Sequence, residues 1–474
     1  MYASTRNNEK QYSTFEVITG IMPNDGGNIV PSSIRSVSKD ELTELENCDF
    51  TEITAFTLKK FFPDLTSKEC LSLAEKAAKS ASQMTGDDKS QAPNLFGQDI
   101  SSVVYLSEDE AVLEANKGAT SCSTDYASNI LVTYIAQNRE FFNKKNIEIV
   151  TDETSFFCSL CETSCTRFGI NVVFTGSRKT SDYYENAKLS YAEKQGGQVL
   201  ESYDCAREYI EKNKSDETFF VYMGTNNFLN TVTNFAFLLS AYVDMIAGGM
   251  TTDDGKLNIS LPSESSGLAL AACLIKKSTE AIDKIIICDK EKGALKEFFD
   301  KGIIFPDSNR LPPEFETLYF ELTGRNSDKT SEIFSKLEKG ETVNENGIRF
   351  ITKDYYVYDF YEDGTLEAIA EFFDEFGYVF DYRSAKGVAA ANDYFDLTED
   401  ETPILYAALD EPLFSPCKVY LAIDESDVKV PFIAQKRLIE ETGEPVTKYV
   451  EEVSGEAKRF QANKKSGDDC PLVN

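Results

Sequence analysis

From residue 100 onward, short β-branched or aromatic runs alternate with helical patterns, and no other feature constrains the fold of this chain as strongly. The runs are SSVVYL, IEIV, NVVF, QVLES, TFFVYM, KLNISL and KIIICD. Between them lie CSLCETSCTRFG, SDYYENAKLSYAEKQG, CAREYIEKN and SSGLALAACLIKKST. Strands separated by helices cannot join through tight turns, so this order predicts βαβ units on a mostly parallel sheet with helices on both faces. The fold class is α/β.

Composition shifts divide the chain further. Residues 1–84 carry periodic segments such as FTEITAFTLKKFF and SKECLSLAEKAAKSASQM and are expected to form an N-terminal domain. The polar stretch TGDDKSQAPNLFGQD (85–99) reads as a linker or exposed loop. The α/β core is expected over 100–325 and 371–425, as two subdomains. Residues 326–370, with a helical pattern and the hairpin-like NGIRFITKDYYVYDFYEDG, read as an inserted α+β subdomain. Residues 426–474 read as a charged C-terminal tail.

A net charge of −32, spread over the chain with no sustained Lys/Arg cluster, repels nucleic acid, anionic lipid and phosphorylated metabolites. No nucleic-acid partner is expected. The N-terminus has no apolar signal core, and the most apolar run, NFAFLLSAYVDMIAGGM (234–250), contains Asp244 and falls short of the roughly 18–20 residues that span a bilayer. A cytoplasmic protein without a membrane segment is expected, with its 11 cysteines reduced. There is no histidine, which removes Ser-His-Asp and Cys-His catalysis and histidine metal sites. No metal is expected, and any chemistry must use Lys, Cys, Tyr, a carboxylate or a cofactor.

Four stretches could carry a site. Cys158, Cys161 and Cys165 share one helix face but lack a fourth ligand, and read as small apolar residues of a buried face. Cys122 precedes a helix that could activate a thiol, but no histidine can serve as its base and Asp125 opposes the thiolate. The turn SESSG (Ser263, Glu264, Ser265, Ser266, Gly267) sits where a parallel sheet binds ligands, either as an anion cradle or as an ordinary helix cap. Asp152, Glu153, Thr154 and Ser155 occupy a similar turn without a glycine, where two carboxylates oppose an anion.

Several frames resemble one family. Tyr2, Ser4, Thr5 and Arg6, followed by Phe15, Gly20, Asp25–Gly27 and Pro31, resemble the N-terminal domain of threonine synthase. FETLYFELTGR (315–325) is similar to the family segment N-F-E-R-L-L-F-E-L-x-G-R, and GYVFDYRSAKGVAAA (377–391) to G-Y-x-x-D-P-H-T-A-V-G-x-A-A. The frames run in the family's order from residue 1 to about 415. The resemblance implies the second fold type of pyridoxal-phosphate enzymes, an N-terminal domain plus two open parallel-sheet α/β domains around the cofactor. It also implies conversion of O-phosphohomoserine to threonine and phosphate through a lysine Schiff base.

On that register NKGATSCSTD (116–125) lies on F-H-G-P-T-L-A-F-K-D. Gly118, Thr120 and Asp125 match, Lys117 stands at the histidine, and Thr124 stands at the lysine. A hydroxyl forms no imine, so no catalytic residue is expected. The family's S-G-D-T-G falls on 152–156, its T-G-N-F-G on 263–267, and its P-H-T histidine on Arg383. Ala408 takes the place of the hydroxyl residue near the pyridine nitrogen, and Asp410 that of another histidine. NFLN (227–230) keeps the outline of N-S-x-N, with Thr233 near an expected arginine. The resemblance therefore implies a catalytically degenerate protein with no bound pyridoxal phosphate, a monomer or homodimer that binds, scaffolds or regulates an unknown protein or small molecule. The alternative is an active pyridoxal-phosphate-dependent threonine synthase or related lyase with a relocated lysine, Lys117 being the nearest candidate.

Overall fold

Serine- or aspartate-led capping boxes start the first helices. Ser13 with Glu16, Ser38 with Glu41 and Asp49 with Glu52 each exchange side-chain and backbone hydrogen bonds. A cap of this kind is worth about 1 kcal/mol and fixes where a helix begins. The computed structural model describes residues 1–82, 100–142, 145–165, 168–176, 183–203, 205–348, 352–412 and 415–423. The linker expected over 85–99 and the tail expected over 426–474 lie outside the described residues.

In the N-terminal region β1 (Tyr2–Ser4), β2 (Asn7–Tyr12) and β3 (Ile29–Pro31) form an antiparallel sheet in the order β2-β1-β3. The helices Lys39–Leu45, Phe50–Phe61 and Ser67–Ser82 follow. Phe61 sets its ring edge-on to Phe228 and Phe235, at 5.6 and 5.0 Å between centroids. Those two residues belong to the helix Phe228–Ala247, which is buried almost along its whole length. Its apolar run, NFAFLLSAYVDMIA, is therefore core, and no helix among the described residues is long and apolar enough to cross a membrane.

The remaining strands form two main sheets. β4 (Ser102–Tyr105) and β5 (Glu110–Glu114) come first, then β6 (Asn146–Thr151), β7 (Asn171–Thr175), β8 (Gln198–Leu200) and β9 (Thr218–Tyr222). The last four make an all-parallel sheet in the order β8-β7-β6-β9. β10 (Leu257–Pro262) and β11 (Ile282–Cys288) begin the second, larger unit. β12 (Ile303–Ile304) and β13 (Val343–Asn344) pair antiparallel, and β14 (Tyr355–Tyr358) and β15 (Ile404–Ala408) complete the set. The six-stranded sheet has the order β14-β11-β10-β15-β5-β4 and is parallel except for the edge strand β4. The expected α/β class, with two open parallel sheets behind an N-terminal domain, is what the chain adopts.

Part of the stretch 326–370 belongs to the large sheet. YYVY pairs in parallel with β11, from Ile285 opposite Tyr355 to Cys288 opposite Tyr358, and forms the sheet's other edge. The helix Glu362–Phe376 lies against the helix Tyr382–Thr398, with Phe372 edge-on to Phe380 and Tyr406. The alternation in that stretch suggested a local hairpin because a parallel partner about seventy residues earlier leaves no turn signal to read.

Candidate functional site

The strands β5, β10 and β15 are neighbours in the large sheet, so the loops at their C-terminal ends open into one crevice. After β5, Ala115 donates its amide to the Ala408 carbonyl and Ser123 donates to Leu409. Cys122 forms a bridge with Asp410, and Asn116 Nδ2 donates to the Asp410 carbonyl at 2.9 Å. NKGATSCSTD is thereby pinned against the end of β15.

Asp125 organises the stretch internally. Its carboxylate accepts the Thr120 amide at 2.6 Å, the Thr120 hydroxyl and the Ser159 hydroxyl at 2.6 Å. It stands in the first turn of the helix Asp125–Gln137, where a negative charge complements the helix dipole. Thr124, at the cap position, is buried with its hydroxyl 3.1 Å from Ser159 Oγ. Gly118 is required by sterics, because a Cβ there would lie 2.3 Å from Asp125 Cβ and 2.4 Å from its Oδ2. Gly118→Ala is expected to lower stability by about 1–3 kcal/mol, read from the shift in denaturant midpoint. An unchanged midpoint would show that the turn has room.

Cys122 is fully buried, and burial, then Asp410, push its thiol well above the ordinary range. Cys158 and Cys161 are buried and Cys165 partly so, on the helical segment 154–165 that packs into the core, as the small-apolar reading expected.

Glu153 begins the helix Thr154–Leu160, its carboxylate taking the amide and the hydroxyl of Thr225 at 2.5 and 2.6 Å. Burial, and then Asp152, raise it to about 7. Thr154 is buried behind it, and the Ser155 carbonyl accepts the Ser159 hydroxyl. After β10, Ser265 Oγ accepts the Ala269 amide, and the Ser266 carbonyl receives the side-chain amides of Asn230 and Asn234. Gly267 has φ +88°, and a Cβ there would meet Asn230 Nδ2 at 2.9 Å. The glycine lets the chain turn sharply into the helix Leu268–Thr279.

Glu264 is ion-paired with Lys386 at 2.5 Å. Burial alone would raise its carboxyl, but Lys386 and then Arg383 hold it below the ordinary value. Arg383 pairs with Asp410 at 2.7 Å and reaches the Glu264 carbonyl at 3.4 Å. Its charge is maintained against burial by Asp410 and Asp381. Asp381 caps the helix Tyr382–Thr398 through the amides of Arg383 and Ser384, and burial followed by Asp410 raises it to about 6. Ala408 is buried at the end of β15.

Two expected members fall outside this cluster. Asp152 accepts the Ala206 amide and the Tyr222 hydroxyl, and lines a separate cleft of about 230 Å³ shared with Met22 and Pro23 of the N-terminal domain. Glu153 is extended, so adjacent side chains point to opposite sides and only Glu153 enters the crevice. Lys117 pairs with Glu114 at 2.6 Å, and its side chain is 30% exposed.

Other members were not singled out from the sequence. Glu314 is 1% exposed, and neither of its carboxylate oxygens has a hydrogen bond of normal geometry. Its own amide and that of Gly267 favour the anion, but burial, helped by Glu153, raises it to about 7. Lys290 Nζ donates to the Leu311 carbonyl, with burial lowering its pKa despite nearby Glu264. A signal for Glu314 was present: the frame aligned on FETLYFEL sets an asparagine opposite it. Among the described residues, no group of three His, Cys, Asp or Glu side chains is placed to hold a metal ion.

Comparison with known proteins gives the same architecture. Residues 1–78 match the family described as threonine synthase N terminus. A threonine synthase of Methylobacillus glycogenes is 20% identical over 434 residues, covering 85% of this chain and 88% of that protein. Among solved structures, yeast threonine synthase superposes with a TM-score of 0.75 at 16% identity, covering 97% of this chain and 98% of the other. A pyridoxal-phosphate-bound threonine synthase from Brucella melitensis gives 0.70 at 16% identity, covering 96% and 99%. The Escherichia coli enzyme gives 0.67 at 14%, covering 92% and 94%. The chain is thus threonine synthase-like, with that family's N-terminal domain and, along its length, the α/β fold of the second type of pyridoxal-phosphate enzymes.

Proposed function

We propose that this chain is a noncatalytic relative of threonine synthase, whose crevice is kept for binding or regulation. The observation that carries this reading is Thr124. On the family register it stands where the imine-forming lysine belongs, and its hydroxyl is buried against Ser159. A hydroxyl cannot supply the amine that the chemistry needs.

The residues present do not fit pyridoxal phosphate. A helix start such as that of Leu268–Thr279 would ordinarily hold the phosphate. Here Glu314 and Glu153 lie beside it, and a dianion would face both carboxyls. Three nearby lysines are engaged: Lys117 with Glu114, Lys386 with Glu264, and Lys290 with the Leu311 carbonyl.

Purified protein titrated with pyridoxal phosphate is expected to show no imine absorption band, and to make no threonine from O-phosphohomoserine. Thr124→Lys alone is expected to leave both results unchanged, because Glu153, Glu264 and Glu314 remain. A stoichiometric band in the wild type would overturn the reading. If Lys117→Ala then abolished that band, the relocated-lysine enzyme would take its place.

A further inference from the structure

The cleft that Asp152 lines is separate from the crevice, and its wall comes from two domains. Val17, Ile21 and Met22 of the N-terminal domain join Tyr222 and Phe228 of the α/β core around a cavity of about 230 Å³. That is smaller than the roughly 300–1,000 Å³ of most ligand pockets, so it suits a molecule of only a few carbon atoms. Most polar groups of the wall already have partners within the chain. Asn227 Nδ2 donates to the carbonyls of Ile18 and Tyr222, and its Oδ1 accepts the Leu229 amide. Asn28 Nδ2 donates to Thr317 Oγ1 at 3.1 Å. Asp152, the one carboxyl of the wall among the described residues, accepts the Ala206 amide and the Tyr222 hydroxyl, and burial raises its pKa.

Arg207 and Asn226 are what remain. Arg207 is the one cation of the wall among the described residues, and no carboxylate pairs with it there. Its Nη1 donates to the Pro23 carbonyl at 2.9 Å. A guanidinium carries five N–H donors in a planar fork, so four are left over. Asn226, in the same wall, has a buried Oδ1 without a hydrogen-bond partner, which is uncommon in folded proteins. The wall therefore offers a fork of donors and one acceptor beside an apolar lining. A carboxylate matches the fork through two parallel bonds, and a hydroxyl or ammonium on the adjacent carbon matches the acceptor. A phosphate dianion fits less well, because Asp152 stands in the wall and the chain carries a net charge of −32.

We infer that this cleft binds a small aliphatic carboxylic acid with a hydrogen-bond donor on its α-carbon, a 2-hydroxy or 2-amino acid, with Arg207 holding the carboxylate and Asn226 Oδ1 accepting from the donor. The aliphatic chain lies on the apolar lining. Arg207 already ties the helix Ala206–Asn213 to the N-terminal domain through Pro23, so an occupant adds a second link between the two domains. The inference does not depend on whether the crevice is catalytic.

The test uses the whole chain with 2-hydroxyisovalerate and L-valine as probes, followed by calorimetry and by melting temperature as a function of probe concentration. Saturable one-to-one binding of at least one probe is expected, with a melting temperature that climbs as the probe is added. The probe that binds more tightly identifies the donor as hydroxyl or ammonium. Arg207→Met should weaken that binding about ten-fold or more, since charge-assisted bonds are lost. Arg207→Lys, which keeps the charge but not the fork, should fall between the two. If Arg207→Met does not melt cooperatively, the comparison of Arg207→Lys with wild type decides. The inference is overturned if neither probe saturates the protein into the millimolar range, if the Arg207 variants bind as well as wild type, or if the uncharged amide of the better probe binds as tightly as the acid.

Discussion

Glu314→Gln is expected to stabilise the protein at pH 8 and to change little at pH 5. The wild-type carboxyl is raised to about 7 from an ordinary 4.5, chiefly by burial. At and below the unfolded value both states are protonated, and the group carries no penalty. As pH rises, the unfolded chain ionises first, and the advantage of the neutral folded form is lost as pH climbs through about 7. Above that, the folded state holds a buried anion that its own amide and that of Gly267 only partly compensate, at a cost on the order of 3 kcal/mol by about 1.4 kcal/mol per pH unit. Glutamine keeps the shape and drops the charge. The melting temperature should therefore rise by a few degrees at pH 8 and by much less at pH 5. A variant that melts at or below wild type at pH 8 would show that the carboxylate is well accommodated.

The wild type should itself lose stability from pH 5 to pH 8. Glu153 and Glu411 are also raised to about 7, and Asp289 and Asp381 to about 6, in each case mainly by burial. Every one of these shifts has the same sign, so their contributions fall together as pH rises.

The opposite result is expected for Arg383→Met. Arg383 neutralises Asp410 directly and lowers the Asp381 carboxyl that caps the helix Tyr382–Thr398. Methionine fills part of the volume but leaves Asp381 and Asp410 without their common cation. The Arg383 side chain is 25% exposed but Asp381 and Asp410 are buried, so removing their cation costs at most about 3–5 kcal/mol. Chemical denaturation should show a midpoint shifted by that amount. The Arg383→Met, Asp410→Leu double variant should recover much of the loss, since the pair is replaced by apolar groups. If the single variant unfolded at the wild-type midpoint, the Arg383–Asp410 pair would not be holding the crevice together. These two substitutions separate the crevice into an over-acidic half at Glu314 and a charge-balanced half at Arg383.

Much of the crevice was legible in the sequence, residue by residue. Gly118, Thr120 and Asp125 could be registered on the family frame because their spacing is fixed by a local turn, and that turn is closed by Thr120 bonding Asp125 five residues on. The serine-rich turn 263–267 was legible for the same reason, lying directly between β10 and its helix. The sequence sets Asp152 beside Glu153, but the extended backbone there sends the two side chains to opposite sides. Lys117 is the lysine nearest to Thr124 along the chain, and its side chain pairs with Glu114 three residues before it. For Glu314 the sequence offers only the asparagine that the family frame sets opposite it, and nothing in the segment tells that the side chain is buried. It acquires its character only when the N-terminus of the helix Phe315–Leu322 packs beside Gly267 and Glu153.

The sequence by itself determined the α/β class, the start of each capped helix, the absence of histidine chemistry and the amine-free residue at position 124. All of these are fixed by residue identity or by spacing within a few residues, and short-range sterics and hydrogen bonding enforce them wherever the segment ends up. Only the tertiary structure decided that Tyr355–Tyr358 joins the large sheet, that Asp152 leaves the crevice, and that Glu314 is buried beside Gly267 and Glu153. Those outcomes depend on parallel pairing and on burial, which bring together groups scores or hundreds of residues apart and set the cost of each charge by its surroundings rather than by its neighbours in the chain.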